Sequence, residues 1–385
     1  MSLAGTVAVA AIMLASHVYL LSLLDGIGLS DDASSWIRGG VWCFSLSLFY
    51  PHIASRCLPR SLAQWVVLPA CLWMGFAFLL IHLLFAWDFC SALLVASGVS
   101  ELSASADYAS WRSGLVIGSA SVLSVLALWK GTRFPAIRTV EIELDRWPRT
   151  LDGFTIAQLS DVHIGALLGQ RFARQCVRHV HGIEPDMIAI TGDLVDGRVE
   201  CLANQLQCFS ELTAPAGVYF VTGNHDHYSG AESWVSHIRG LGIEVLRNEH
   251  RRVTPQGGED ASFIIAGCDD RRSRRYPDEG GEDLNATFRS VPKELALVLL
   301  AHDPNSFKDA AGRVDLQLSG HTHGGQLFPF VWAVRLVTPF IAGLYRRGKS
   351  QLYVSSGTGY WGPPMRLGTT AEITAVVLRS PEGSP

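Results

Sequence analysis

The chain has 385 residues, 48% of them hydrophobic and 17% charged, with a net charge of −4 and a mean hydropathy of +0.23. That length admits one large domain or two ordinary ones, and the hydropathy leans toward a membrane protein. The arginines occur in short groups rather than a long run that would neutralise many phosphates, so nucleic acid is not an expected partner.

Apolar stretches dominate residues 1–130, whereas residues 138–300 carry most of the acids, bases and histidines, so a membrane part precedes a soluble part. Residues 3–24 form a run close to the ~20 residues a helix needs to cross a hydrocarbon core. No Lys or Arg precedes it, which separates it from a cleavable signal peptide, and it is read as a retained first span. Residues 39–55 give a second span, 64–87 a third, and 114–129 a fourth that ends at the interface anchor Trp129. Residues 89–99 can also re-enter the membrane. Arg56 and Arg60 fall between the second and third spans, and Lys130, Arg133 and Arg138 follow the fourth. Asp25, Asp31 and Asp32 fall in the first loop, and Asp88, Glu101 and Asp107 in the third. Because cytoplasmic loops carry the excess of Lys and Arg, this pattern predicts a multi-pass protein with both termini and the soluble part in the cytoplasm. His17, His52 and His82 lie in apolar segments, and with no Asp or Glu beside them in the spans they are read as neutral histidines hydrogen-bonded between helices.

The eight cysteines are Cys43, Cys57, Cys71, Cys90, Cys176, Cys201, Cys208 and Cys268. None forms a CxxC pair, so neither a zinc ribbon nor a redox motif is indicated, and their scatter fits a reducing compartment.

Residues 131–151 read as a linker and a first strand, and 152–379 as the soluble domain. From Phe154 a strand–loop–helix pattern repeats. Five apolar runs, at 155–159, 187–191, 218–222, 295–300 and 314–318, each end in a cluster of Asp, Asn or His. A helix over 169–184 puts Phe172, Cys176, Val180 and Ile183 on one face. Strand ends in α/β sheets gather at one edge, where ligands bind, so the clusters should meet. They offer oxygen and imidazole donors and no thiolate, which suits Mn²⁺, Fe²⁺, Zn²⁺ or Mg²⁺. Seven donors exceed what one four-coordinate ion takes but suit two ions sharing a carboxylate, an arrangement that binds phosphoryl oxygens and activates water. Phosphoester hydrolysis is the chemistry implied.

These blocks resemble those of the calcineurin-like metallophosphoesterase superfamily: Asp161-Val162-His163, Gly192 to Asp196, Gly223 to Asp226, His302, and Gly320 to His323, in that order. The resemblance covers about residues 152–379 and looks nearest to membrane-associated phosphohydrolases whose last block reads as Ser319 to Gln326 do here. It implies an α/β domain of two packed β-sheets flanked by helices, behind an N-terminal all-α membrane bundle. It further implies that Asp161, His163 and His323 hold one metal, that Asn224, His302 and His321 hold the other, and that Asp193 bridges them. His225 would contact phosphate or protonate the leaving oxygen, with Asp226 orienting its imidazole, and Asp196 would stand behind the ligands rather than among them. Relatives that place an arginine directly after the second Asp of their GDxxD block grip phosphate with it; here Gly197 follows Asp196 and Arg198 comes one place later.

Three further stretches need a reading. Residues 357–362 match GxGxxG, but Pro363 and Pro364 forbid the helix that a dinucleotide site requires, so they are read as a tight loop from which Tyr360, Trp361 and Arg366 can reach substrate or pack. Arg271, Arg272, Arg274 and Arg275 form a basic group, read as an exposed loop or a phosphate contact. Residues 327–345 are strongly apolar but interrupted by Pro329 and Pro339, which suits a core segment or a membrane-facing loop better than a crossing. The membrane part favours a lipid-linked phosphoester, a monoester or a diester, as substrate, with a soluble phosphodiester as the alternative. A rival from another class is a transport or sensory membrane protein whose outer domain binds metal or nucleotide without turnover.

Overall fold

The computed structural model describes residues 3–24, 27–45, 54, 58–98, 106–255, 261–275 and 280–381. The chain divides into two compact units: residues 1–132 with 362–365, and residues 133–361 with 366–385.

The first unit is helical, with α1 at Leu3–Leu21, α2 at Asp31–Ser45, α3 at Arg60–Ala96 and α4 at Ala106–Thr132. Among the described residues two helices are long and apolar enough to cross a membrane, Arg60–Ala96 and Asp107–Thr132. They contain the third and fourth expected spans, 64–87 and 114–129. Where a second span was expected at 39–55, α2 instead begins at Asp31 and carries Asp31, Asp32 and Arg38, and residues 46–53 lie outside the described part. The expected re-entrant stretch at 89–99 simply continues α3 to Ala96.

Asp88, expected in a loop, lies inside α3. Its carboxylate accepts two hydrogen bonds from the Arg112 guanidinium, each 2.7 Å, and one from the Tyr19 hydroxyl at 2.6 Å. A charge satisfied in this way is tolerated in an apolar helix, which is why Asp88 does not end it. His17 Nδ1 lies 2.9 Å from the Met13 carbonyl while Nε2 accepts from Trp73 of α3, a bond between helices as expected, whereas His82 Nδ1 lies 2.7 Å from the Phe78 carbonyl of its own helix. His52 is outside the described residues.

The second unit is built on two six-stranded mixed sheets. One contains β1 (Ala136–Glu143), β2 (Thr155–Leu159), β3 (Met187–Thr191), β4 (Val218–Val221), β5 (Glu244–Val245) and β12 (Glu372–Arg379), in the order β1-β12-β2-β3-β4-β5. The other contains β6 (Glu249–Val253), β7 (Phe263–Gly267), β8 (Leu297–Leu300), β9 (Leu316–Ser319), β10 (Gly343–Arg347) and β11 (Ser350–Val354), in the order β10-β11-β9-β8-β7-β6.

Side chains alternate between the faces of a strand, and that period sorts the core into layers. Met187 and Ala189 of β3 join Phe263 and Ile265 of β7 and Val298 and Leu300 of β8 in the core shared by the two sheets. Ile188 and Ile190 turn the other way, onto α5 (Gln170–His181), α6 (Val199–Leu206) and α8 (Ala231–Gly240), through Cys176, Val180, Leu202 and Trp234. Ile264, Leu297 and Leu299 meet Leu284 of the short helix 284–287 and Ala310 of the helix 307–310 on the far side. The strands are continuously apolar because both faces of each sheet are covered. The register levels their ends: Leu159 pairs with Ile190, Thr191 with Val221, and Leu300 with Leu318. Residues just beyond those pairs therefore emerge together at one edge of the sandwich.

Candidate metal centre

The loops that follow these strands bring the seven expected ligands together. Asp161, His163, Asp193, Asn224, His302 and His323 are buried, and His321 is nearly so. Potential ligand atoms of Asp161, His163 and His323 lie within 4.8 Å of one another, as do those of Asp193, His302 and His321, and those of His163, Asp193 and His225. His163 Nε2 stands 3.1 Å from His323 Nε2, and His302 Nε2 stands 3.1 Å from both Asp193 Oδ2 and His321 Nδ1.

Backbone geometry shows how tightly this arrangement is imposed. Asp161, His163, Asp193, His321 and His323 all have φ between 50° and 72°. Such conformations cost about 1–3 kcal/mol each for residues other than glycine and persist where the surroundings over-determine them. Two glycines allow the approach. A Cβ at Gly223 would fall 2.2 Å from Asp193 Oδ1, and one at Gly320 would fall 2.1 Å from Asp161 Oδ2.

The donors are pre-set for cations. His302 Nδ1 lies 2.8 Å from the Thr191 carbonyl, and His163 Nδ1 lies 3.1 Å from Asp196 Oδ2, so in each ring Nδ1–H donates and Nε2 faces the centre. Burial opposes charge on His302, but Asp193 beside it raises the imidazole well above the ordinary histidine range. Burial pushes His321 down to about 3 and His323 to about 4, so both imidazoles are neutral at physiological pH. Burial disfavours charge on Asp161 and Asp193 as well, yet the surrounding histidines hold both carboxyls below the usual carboxylate range. Asn224 Oδ1 is buried with no hydrogen-bond partner, an acceptor whose desolvation costs about 1–3 kcal/mol unless something binds it. Oxygen and neutral imidazole donors with an orphaned amide oxygen fit divalent ions of the Mn²⁺, Fe²⁺, Zn²⁺ or Mg²⁺ kind.

Comparison with known proteins agrees with this chemistry. The profile of the calcineurin-like phosphoesterases matches residues 154–325. A "transmembrane protein with metallophosphoesterase domain" from Bos taurus is 36% identical over 296 residues, covering 70% of this chain and 67% of that protein. The chain belongs to the calcineurin-like phosphoesterase family. Its members of this type are metal-dependent phosphoesterases by name. A protein of the same description from Danio rerio is 38% identical over 67% of this chain, and the match spans 61% of that relative's length. An uncharacterized metallophosphoesterase of Campylobacter jejuni is 31% identical and covers 76% of each chain.

Within the family frame, one sequence expectation requires correction. Asp226 does not orient His225. Its Oδ1 accepts from the Leu194 and Val195 amides at 3.0 and 3.2 Å and its Oδ2 from the Gly223 amide at 2.8 Å, so it braces the loops that carry Asp193 and Asn224. The neighbour in sequence points away because α7 (Asn224–Tyr228) turns each successive side chain by about 100°. Asp196 takes that role instead: its Oδ1 lies 2.6 Å from His225 Nδ1 while its Oδ2 holds His163. Burial opposes charge on His225, but Asp196 and Asp193 outweigh it and raise the imidazole to about 9.

Of the two readings open for Arg366, substrate contact or packing, the structure has the second: it is fully buried. Its guanidinium donates to the carbonyls of His323, Ser356, Gly357 and Gly359 at 2.7–3.3 Å, clamping the 356–359 loop to the last ligand block. Gln326 does the same for Trp361, donating to its carbonyl at 3.0 Å and accepting from its amide at 3.2 Å. The GxGxxG match is thus a loop closed over the centre.

A cavity of about 420 Å³ opens onto the donors. Asp193, Asn224, His225, His321 and His323 line its floor; Arg198 and Tyr360 are not part of the lining. Arg272, Asn305, Tyr228, Phe330, Val334 and Trp361 are wall residues that the motifs do not mark. Arg272 is selected from its basic group by pairing: Arg271 is bound to Asp309 at 2.8 Å and Arg274 to Glu282 at 3.2 Å, whereas Arg272 has a looser contact with Asp303 at 3.9 Å. The basic group was visible in sequence, but which arginine faces the cavity was not.

Proposed function

We propose that this chain hydrolyses a lipid-linked phosphoester at a binuclear metal centre, as a membrane-anchored phosphohydrolase. The observation that carries the binuclear reading is the position of Asp193 in two donor groups at once, one with His302 and His321 and one with His163. Asp161, His163 and His323 would hold one ion and Asn224, His302 and His321 the other, with Asp193 common to both. Bound there, two divalent ions neutralise the phosphoryl oxygens and make water nucleophilic at neutral pH.

The chain's own residues supply the rest. Arg272, on the cavity wall, offers a planar cation to a phosphoryl oxygen. His225, charged and hydrogen-bonded by Asp196, stands where it can give a proton to the departing alcohol oxygen. The donor loops, with their left-handed backbone at five of the donors, keep those donors from rearranging as charge develops.

Membrane anchorage rests on the two apolar helices and on the transmembrane relatives. The Asp88–Arg112 pair and the hydrogen bond from Tyr108 to Ser91 make α3 and α4 an antiparallel hairpin, so Arg60 and Lys130 lie at the same end. That basic end is assigned to the cytoplasm, and the catalytic unit, which follows Lys130 directly, with it.

Purified full-length protein should turn over a chromogenic phosphodiester when supplied with Mn²⁺, bind about two ions per chain, and lose both properties in Asp193→Asn. Two bound ions without turnover of either a phosphomonoester or a phosphodiester would overturn the enzymatic reading. At most one ion at saturation would overturn the binuclear one, and a C-terminal reporter found outside the cell would reverse the orientation.

A further inference from the structure

The helix Val331–Val337, here α11, has the sequence VWAVRLV and is apolar on every side except at Arg335. A helix of that composition is ordinarily buried, yet α11 has no buried residue: Leu336 is 90% exposed, Val337 60% and Trp332 57%. The rest of the catalytic unit keeps its large apolar side chains inside. Among its described residues nine such side chains are exposed, six of them between positions 328 and 344, while two more, Tyr228 and Trp361, line the cavity. An exposed apolar concentration of this kind marks a binding surface.

The patch is continuous with the metal cavity. One face of α11, carrying Ala333, Val334 and Val337 after Phe330, forms a wall of the same cavity whose floor is Asp193, His321 and His323 and whose opposite polar group is Arg272. A single ligand filling it must present an anionic group to the floor and hydrocarbon to the wall. The other face, Trp332 and Leu336, points outward, and the Arg335 guanidinium lies over the Trp332 ring at 4.9 Å. Trp beside Arg on an apolar helix is the combination that sits at a bilayer surface, ring in the boundary and charge among headgroups.

We propose that α11 is the substrate-tail site of this enzyme: it lies on the bilayer surface, and the hydrocarbon chain of a membrane phosphoester runs along Phe330, Val334 and Val337 while its phosphate reaches the donors. This deepens the phosphoesterase reading and rests on it. An aliphatic tail fits better than a nucleobase, because the α11 side chains that line the cavity, Ala333, Val334 and Val337, offer no hydrogen bond to a base edge.

The test uses three p-nitrophenyl phosphodiesters whose second ester is ethyl, octyl or thymidine-5′. In each, water adds to phosphorus and the bond to p-nitrophenolate breaks, so the chemistry is constant. Each methylene fully buried is worth about a fourfold factor, so even partial seating predicts that full-length protein in nanodiscs with Mn²⁺ has a kcat/KM for the octyl ester at least tenfold above that for the ethyl ester. Val334→Ser with Val337→Ser should bring that ratio to within threefold of one, with an unchanged melting temperature. A ratio near one in the wild-type chain, or a thymidine ester favoured over the octyl ester, overturns the tail site. A parallel binding measurement separates this from failure of the enzymatic reading. An alkyl phosphate with a terminal diazirine should photolabel residues 328–337 whether or not any ester is cleaved, and labelling elsewhere overturns the proposal.

Discussion

Gly320→Ala puts the compactness of the centre to a quantitative test. Gly320 does not have a positive φ, and its amide donates to the His302 carbonyl at 3.1 Å, so alanine suits the backbone and keeps that bond. The methyl alone is at issue. It would lie 1.9 Å from Ser160 Oγ and 2.1 Å from Asp161 Oδ2, where contacts of this kind do not fall below 3.0 Å. Asp161 must retreat by about 1 Å, and it has little freedom to do so: it accepts from the His321 amide at 3.0 Å and from Ser160 Oγ at 2.6 Å, and it stands 3.3 Å from His323 Nε2. A displacement of about 1 Å at the reacting geometry costs about 10²-fold in rate, and overpacking a rigid site costs about 1–3 kcal/mol of stability. The assay is turnover of a chromogenic diester together with metal stoichiometry and denaturant unfolding. Gly240→Ala, where an added methyl meets nothing within 4 Å, is the matched control. A Gly320→Ala protein with full metal content and a kcat within threefold of the parent would refute the claim that the Asp161 carboxylate is held in place by this contact.

Three other outcomes are expected. Asp196→Asn should weaken metal affinity about 10–100-fold, as losing a partner behind a ligating histidine does, and should also lower kcat through His225; isothermal titration and steady-state kinetics read the two effects separately. Asp226→Ala leaves three buried amides without their acceptor and should cost about 3 kcal/mol of stability, read as a lowered denaturation midpoint; a stable variant with only kcat reduced would restore the His225-orienting role to it. Chelation of the metals should lower the melting temperature by mass action, since Asn224 Oδ1 and the close His163–His323 and His302–His321 nitrogens are then left without a shared cation; an unchanged melting temperature would show that the donors are satisfied without ions.

Sequence by itself picked out the oxygen and imidazole donors that meet at the sheet edge, because their chemistry is local. Each apolar run that ends in Asp, Asn or His announces a strand delivering a donor to the sheet edge, and the glycines of the same blocks mark where backbone must come close. It also determined that the α/β unit follows an apolar one, since long apolar runs have few other uses. Tertiary structure decided what contacts across the fold decide. Asp226 is the acid beside His225 in sequence and Asp196 belongs to a different block, but the turn of α7 directs Asp226 into backbone amides and leaves Asp196 as the partner of both His163 and His225. For Arg366 the sequence left substrate contact and packing open; four converging carbonyls bury it. Asp88 looked like a loop residue until Arg112 and Tyr19 were seen to satisfy it. The apolar stretch 327–345 has a composition that fits burial and exposure equally, since hydrophobicity fixes only that water is unfavourable; packing leaves α11 bare on one side and open to the metal cavity on the other.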